Sequence, residues 1–405
     1  MRVFVILLLL CLSTTADSQK LLKGLIIDND GKPIAGASIF LNNTSLGTTS
    51  NEQGRFELSV PSGKFDLIVS SIGYETYNQT IVTANLSDFI TIKLNVKVKE
   101  LATVIVGAYE KDGWQKWGNF FLENFIGTSS NAKQCILRNS KTVRFRHSKK
   151  NEELTAYASE PLIIENKALG YIIHYQLEKF SYSFKTHFLF YEGYPFFENM
   201  KGNPSRKSKW EKRRDEIYYG SMLHFMRSVY TNHITQEGFE VHALKKIPNV
   251  EKVRVKGANE RNLLRTDNPD GTWSITPINK DSAKYYERIL KQEDHFDVVD
   301  KNILQGDSIA YAIDSVTAAL DFKNYLLIIY KNKPVPFEYR ELYPQNGTQM
   351  TSQLFLSNQR PIEIQFNGSY YDPADLINYG FWAWSEKVGT MLPFDYQPQK
   401  KLPGN

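Results

Sequence analysis

The chain has 405 residues, 41% apolar and 23% charged, which supplies enough apolar side chain for a sizeable core and excludes global disorder. Aromatic residues reach 13%, with 23 Tyr and 24 Phe, a composition that leans towards strands. The 49 Lys and Arg exceed the 44 Asp and Glu by only five, so the balance implies no nucleic-acid partner, and collagen-like, coiled-coil and disulfide-dense classes are excluded.

Met1-Arg2, an apolar run from Val3 to Leu12, and the small or polar exit Ser13-Thr14-Thr15-Ala16 form the pattern of a cleavable secretory signal over 1–18. The run is too short for a membrane-spanning helix, which needs about 20 apolar residues. No later stretch reaches that length, so no transmembrane span is expected. Cys11 lies within the apolar run after Leu10, where a lipid-attachment site would want a small residue. Cleavage would leave Cys135 as the single cysteine, without an internal disulfide or a cysteine zinc cluster.

From Leu22 to Lys99 apolar residues recur at every second position: Ala37, Ile39 and Leu41; Phe56, Leu58 and Val60; Phe65, Leu67 and Val69; then Ile90, Ile92, Leu94, Val96 and Val98. Asp30-Gly31-Lys32-Pro33, Asn51-Glu52-Gln53-Gly54, Pro61-Ser62-Gly63 and Ile72-Gly73-Tyr74 punctuate these runs with turn formers. Short alternating strands at about ten-residue spacing predict an antiparallel sandwich. Asp28, Asp30 and Asn51 could ligate calcium, but such residues more often bond their own turn backbone.

The series Gly24-x-Ile26-x-Asp28-x-x-Gly31-x-Pro33-Ile34-x-Gly36-Ala37-x-Ile39, Gly47-Thr48-x-Ser50-Asn51-x-x-Gly54-x-Phe56 and Val69-Ser70-x-x-Gly73-Tyr74 resembles the carboxypeptidase regulatory-like domain. That resemblance implies a transthyretin-like, seven-stranded β-sandwich, an accessory module without catalytic residues of its own. Further on, Phe125-Ile126-Gly127-Thr128-Ser129, the run from Pro161 to Tyr171, Tyr219-Gly220-Ser221-x-x-His224-Phe225 and Met391-Leu392-Pro393-x-Asp395-Tyr396 are similar to segments of secreted Bacteroidota proteins. In those proteins a β-rich region without assigned chemistry follows the regulatory-like domain.

Leu101 to Asp112 reads as a linker or last strand, and Gly113 opens a helix whose Trp114, Trp117, Phe121 and Phe125 share one stripe, more simply core than ligand box. Alternation returns at Val143 to His147, Tyr171 to Leu177, Phe180 to Phe184 and Ile362 to Phe366, with helices expected at 207–230 and 281–292, the latter capped by Asp281. The expected fold is therefore mostly β with α+β character. A seven-stranded antiparallel β-sandwich occupies 20–99, a linker or last strand 100–112, and a larger β-rich domain with a few inserted helices 113–405.

None of the seven histidines begins a His-x-x-Glu zinc motif, and no Gly-x-Ser-x-Gly elbow or phosphate-cradling loop occurs. No cofactor, metal site or catalytic residue is assigned. The acidic cluster Glu293-Asp294-His295-x-Asp297-x-x-Asp300 reads as a solvated helix end, and the basic run Arg206 to Arg214 as a mixed-charge helix surface. Tyr370, Tyr371, Asp372, Trp382 and Trp384 form the most ligand-like set, since aromatic rings stack on sugars and a carboxylate holds hydroxyls; core burial is the competing account. The functional expectation is an exported cell-envelope protein, periplasmic, outer-membrane-associated or at the surface, with a non-catalytic binding or assembly role. Its partners would be an outer-membrane receptor, a glycan or an envelope protein. A hydrolase, peptidase or glycan-active, with an unrecognised site is the alternative, and a carbohydrate-binding module a third reading.

Overall fold

The computed structural model describes residues 19–97, 109–267, 272–371 and 373–399. The expected leader at 1–18 and most of the 100–112 connection lie outside the described residues. The chain is mostly strand, arranged around two apolar cores.

The first core belongs to seven strands: β1 (Lys20–Ile27), β2 (Ser38–Leu41), β3 (Gly47–Thr49), β4 (Arg55–Val60), β5 (Lys64–Ser70), β6 (Tyr77–Val82) and β7 (Phe89–Lys93). They make one sheet in the order β4-β1-β7 and another in the order β3-β2-β5-β6. Period-two patterning dictates the packing: in β4, Phe56, Leu58 and Val60 are buried while Arg55, Glu57 and Ser59 face water. All pairings are antiparallel except β1 with β7, which run parallel. The last expected run stops early, since β7 ends at Lys93 and Val96 is exposed. Asp28 accepts the amides of Asp30 and Lys32, and Asn51 those of Gln53 and Arg55, so both side chains close their own turns.

The second core is built on two larger sheets, with Leu320, Ile362 and Ile364 added from a smaller three-stranded one. The first contains β8 (Cys135–Leu137), β9 (Val143–Ser148), β10 (Glu153–Ala158), β11 (Leu162–Asn166), β12 (Tyr171–Ser183) and β13 (Phe188–Asn199), with the long β12–β13 hairpin as its spine. Helix α1 (Gly113–Phe125) lays its aromatic stripe on this sheet: Phe121 and Phe125 are fully buried, and Trp114 and Trp117 pack against Phe145 and His147. The other sheet has five strands in the order His295–Val299, Phe239–Pro248, Tyr325–Pro334, Gln349–Leu356 and Leu376–Gly380.

The helix expected at 207–230 is two helices, α2 (Pro204–Tyr218) and α3 (Met222–Tyr230). Gly220 interrupts it with φ +89°, where any Cβ would lie 2.7 Å from the Tyr330 ring, and Ser221 caps α3 by accepting the His224 amide. The helix expected at 281–292 spans Lys280–Leu290 and is capped by Asn279, which accepts the amides of Asp281 and Ser282; Asp281 sits inside the first turn. The residues read as a solvated helix end form the exposed strand His295–Val299, preceded by Asp294, which pairs with Lys252 at 2.8 Å.

The two cores are joined by a seam. The sandwich loop Asn42–Ser45 enters between β13 and the C-terminal segment: the Asn43 amide donates to Pro195, and the Phe394 amide donates to Asn43. Asp395 accepts the Ser45 amide at 2.9 Å through one oxygen and the Ser45 hydroxyl through the other. Phe40 packs on Phe196 at 5.3 Å, and Lys64 pairs with Glu363. Replacing Asp395 by Ala should lower stability by about 1–3 kcal/mol, because it orphans the half-buried Ser45 donors. Urea unfolding of the two proteins measures this, with an unchanged midpoint as the contrary result.

Candidate functional site

At the seam the fold leaves a cavity of about 340 Å³. Asn42 and Asn43 reach it from the sandwich, Tyr175 and Tyr191 from the β12–β13 hairpin, Met222 and Leu223 from α3, and Tyr370, Glu386 and Lys387 from the C-terminal part. Gly193 lets β13 approach β12 along this wall, since a Cβ there would lie 2.2 Å from the Gln176 carbonyl oxygen.

The ionisable centre is the adjacent pair Glu386-Lys387. Trp382 fixes its position: the indole donates to the Gly220 carbonyl at 2.9 Å, and the Trp382 carbonyl accepts the Glu386 amide at 2.8 Å. One Glu386 carboxyl oxygen accepts the Met222 amide at 3.0 Å, at the start of α3, and the Tyr191 hydroxyl donates to the Glu386 carbonyl at 3.2 Å. Burial pushes the Glu386 carboxyl up to about 7, against the opposing pull of the Met222 amide and the Lys333 and Lys387 charges. Burial likewise brings Lys387 down to about 8, opposed by Glu386. Among the described residues Lys387 forms no ion pair; the Tyr191 ring lies 6.0 Å from its ammonium. Burial also raises the Tyr175, Tyr191 and Tyr370 hydroxyls, so all three stay neutral donors near neutrality. The cavity thus offers one cation, one carboxyl that is half protonated near neutral pH, and several neutral donors within apolar walls.

The aromatic set singled out from sequence is distributed rather than gathered. Tyr370 lines the cavity, whereas Tyr371 lies at the seam with the Lys64 ammonium 4.3 Å from its ring centre. Trp382 is 2% exposed and packs on Phe225, inside the second core. Trp384 is half-buried against Tyr339 and Phe381, its indole donating to Thr128 at 3.0 Å. Asp372 lies outside the described residues.

The histidines stand apart from one another and none lines this cavity. His224 is enclosed by Tyr218, Tyr219, Phe239 and Tyr330; its Nδ1 accepts the Gly220 amide at 3.2 Å, so its Nε2 donates to Glu237 at 3.0 Å. Burial holds it below the ordinary histidine range despite that carboxylate. His242 pairs with Glu240 and His174 with Glu198. Among the described residues no group of three metal-ligating side chains converges. The Cys135 thiol is pushed up to about 12 by burial and is unreactive at neutral pH. Sequence reasoning missed Glu386, Lys387, Tyr175 and Tyr191, because a Glu-Lys dipeptide after Trp-Ser reads as a solvated turn.

Residues 22–106 match the family model of the CarboxypepD_reg-like domain, and the N-terminal sandwich is a domain of that family. The chain is 32% identical over 107 residues to TonB-dependent receptor P39 of Formosa agariphila, covering 26% of this chain and 10% of the receptor. It is 37% identical over 65 residues to TonB-dependent receptor SusC of Bacteroides thetaiotaomicron, covering 16% of this chain and 6% of the receptor. The chain therefore spans a tenth or less of either receptor. Among solved structures, catechol 1,2-dioxygenase from Acinetobacter sp. ADP1 aligns at 14% identity over 24% of this chain and 58% of that one, with a TM-score of 0.19. A protein of unknown function from Bacteroides fragilis aligns at 10% identity over 89% of this chain and 95% of that one, with a TM-score of 0.16. Neither score establishes a shared fold.

Two outcomes test this description. Trp382→Ala should cost about 3–5 kcal/mol in chemical denaturation, the loss expected of a core indole; a near-neutral effect would contradict its place in the core. Glu386 has a folded-state value of about 7 against an ordinary 4.5, so its share of stability is present below 4.5 and lost as pH rises through 7. Glu386→Gln, which keeps an acceptor for Met222, should therefore be more stable than the parent by about 2–3 kcal/mol at pH 8 and equal to it near pH 4.5. Thermal melts across that range give the comparison.

Proposed function

We propose that this is an exported cell-envelope protein that binds a ligand at the outer membrane through the seam cavity, without catalysing a reaction. The division is a regulatory-like sandwich at 20–99, a connection at 100–112 and a body at 113–405, following a cleaved signal at 1–18. One observation carries the reading: the cavity is built from both units and is lined by a partly buried cation, Lys387, that forms no ion pair among the described residues. The likeness of the sandwich region to segments of TonB-dependent receptors supports an envelope location and an outer-membrane receptor as a partner, with a glycan or another envelope protein as the other candidates. No helix among the described residues is long and apolar enough to cross a membrane.

A hydrolase is favoured by one specific feature, the carboxyl of Glu386 held near 7, the range of a general acid, with Glu192 lining the same cavity. Among the described residues no histidine lines the cavity beside Glu386. The aromatic carbohydrate-binding reading draws on fewer surfaces, because the Trp382 ring faces the core.

The test is fractionation of cells producing the tagged chain, followed by mass spectrometry of its N-terminus. Recovery in the envelope fraction, starting near residue 19, is the expected result. Retention in the cytosol with 1–18 intact would overturn the reading. In envelope pull-downs, filling the cavity by Met391→Trp should abolish the specific captures made by the parent protein; identical captures would detach function from the cavity.

A further inference from the structure

We propose that the seam cavity takes a monocarboxylate carried on an apolar body, with the Lys387 ammonium as its counter-ion. The inference rests on the cavity being the binding site and adds the chemistry of what enters it.

Charge decides the sign of the ligand. Lys387 lines the cavity and among the described residues has no ion-pair partner; the Tyr191 ring at 6.0 Å is a weak substitute for a counter-ion. A cation enclosed by protein and left unpaired is costly, and an anion entering the same space would offset that cost. The carboxyl of Glu386 is already engaged by the Met222 amide. Protonated below about 7, it does not repel an anion and can itself donate a hydrogen bond. A cationic ligand would meet Lys387 directly.

The walls decide the rest. Leu189, Ile217, Leu223, Met391, Leu392 and Phe394 line the cavity, so the body attached to the anion is apolar. The phenols of Tyr175 and Tyr370 add neutral donors suited to carboxylate oxygens, while the Tyr191 hydroxyl is engaged by the Glu386 carbonyl. One ammonium among the described wall residues, with Glu192 also on the wall, suits a single negative charge better than a phosphate dianion. Such a carboxylate is supplied by an acyl chain or by the free end of a peptide with apolar side chains.

The same groups make binding depend on pH. Lys387 faces Glu386 and Tyr191, and Glu386 also feels Lys333 from the Tyr325–Pro334 strand; Glu192 approaches from β13. As pH rises, Glu386 gains a repelling charge near 7 and Lys387 loses its attracting charge near 8, so both changes weaken the carboxylate complex.

The experiment is ligand-observed NMR and calorimetry on the mature chain with octanoate, N-acetyl-leucyl-leucine and the primary amide of each. At least one acid should bind at pH 6, and its amide should bind at least tenfold more weakly. Octanoate alone marks an acyl-chain source, and the acetylated dipeptide alone a peptide terminus. Affinity for the acid should fall about tenfold between pH 6 and 8; in Glu386→Gln the part of that fall due to the Glu386 charge should vanish, leaving the part set by Lys387, which titrates below its parent value once the Glu386 charge is gone. Lys387→Met should abolish acid binding; the acid-against-amide comparison on the parent protein stands even where that variant does not fold. Equal binding of acid and amide, or undiminished acid binding by a folded Lys387→Met, overturns the inference. A hydrophobic reporter dye separates the two levels. A dye displaced by Met391→Trp but by neither acid sinks the carboxylate assignment and keeps the cavity as a site. Failure of dye and acids alike sinks both.

Discussion

The structure depends on the return of the chain from Phe381 to Asp395. In that short stretch the Trp382 indole closes onto the Gly220 carbonyl inside the second core, and Asp395 latches the sandwich loop through Ser45. The residues between these anchors have little freedom. Glu386 and Lys387 are consequently held at the cavity, where their charges are costly, rather than turned to water. Gly220 is the reciprocal half of the constraint: its left-handed backbone breaks α2 from α3, presents a carbonyl to Trp382 and aims the first α3 amide, that of Met222, at Glu386.

Burial acts on the neighbouring acid and base in opposite directions, and their mutual attraction only partly opposes it. The carboxyl rises and the ammonium falls until their titrations nearly meet, at about 7 and about 8. The two groups then have similar proton affinities, and small changes in their surroundings decide which of them is charged. His224 is kept neutral within an aromatic shell, and the turn residues Asp28 and Asn51 bond their own backbone.

The sandwich was legible in the sequence because its information is local. Period-two alternation and Gly or Asn turns specify each strand within about ten residues, and Phe56, Leu58 and Val60 lie in the core where that pattern puts them. The aromatic stripe of α1 was legible for the same reason, with period 3.6 in place of two. The misjudged details depend on contacts made at a distance. The run at 207–230 reads as one helix until Tyr330 packs over Gly220, and Asn279 displaces Asp281 as cap by a shift of two residues that composition hardly distinguishes. The cavity was the least legible feature. Its residues come from positions near 42, 175, 191, 222, 370 and 386, and none has a neighbour in sequence that marks it as enclosed. The aromatic tail drew attention because rings are conspicuous in a sequence, yet Trp382 serves to anchor the chain that carries the ionisable pair.

The Ser45–Asp395 latch joins residues 350 positions apart. Contacts of such separation close the longest loops in a chain, and their entropic cost falls due only after local structure has formed. The sandwich and the body can each complete their own sheets first, so that the seam, and the cavity within it, is the last element to assemble. A chain held open at this point would keep the sheets of both units and lack only the space between them, which makes completion of the binding cavity a kinetic event separable from folding of its walls.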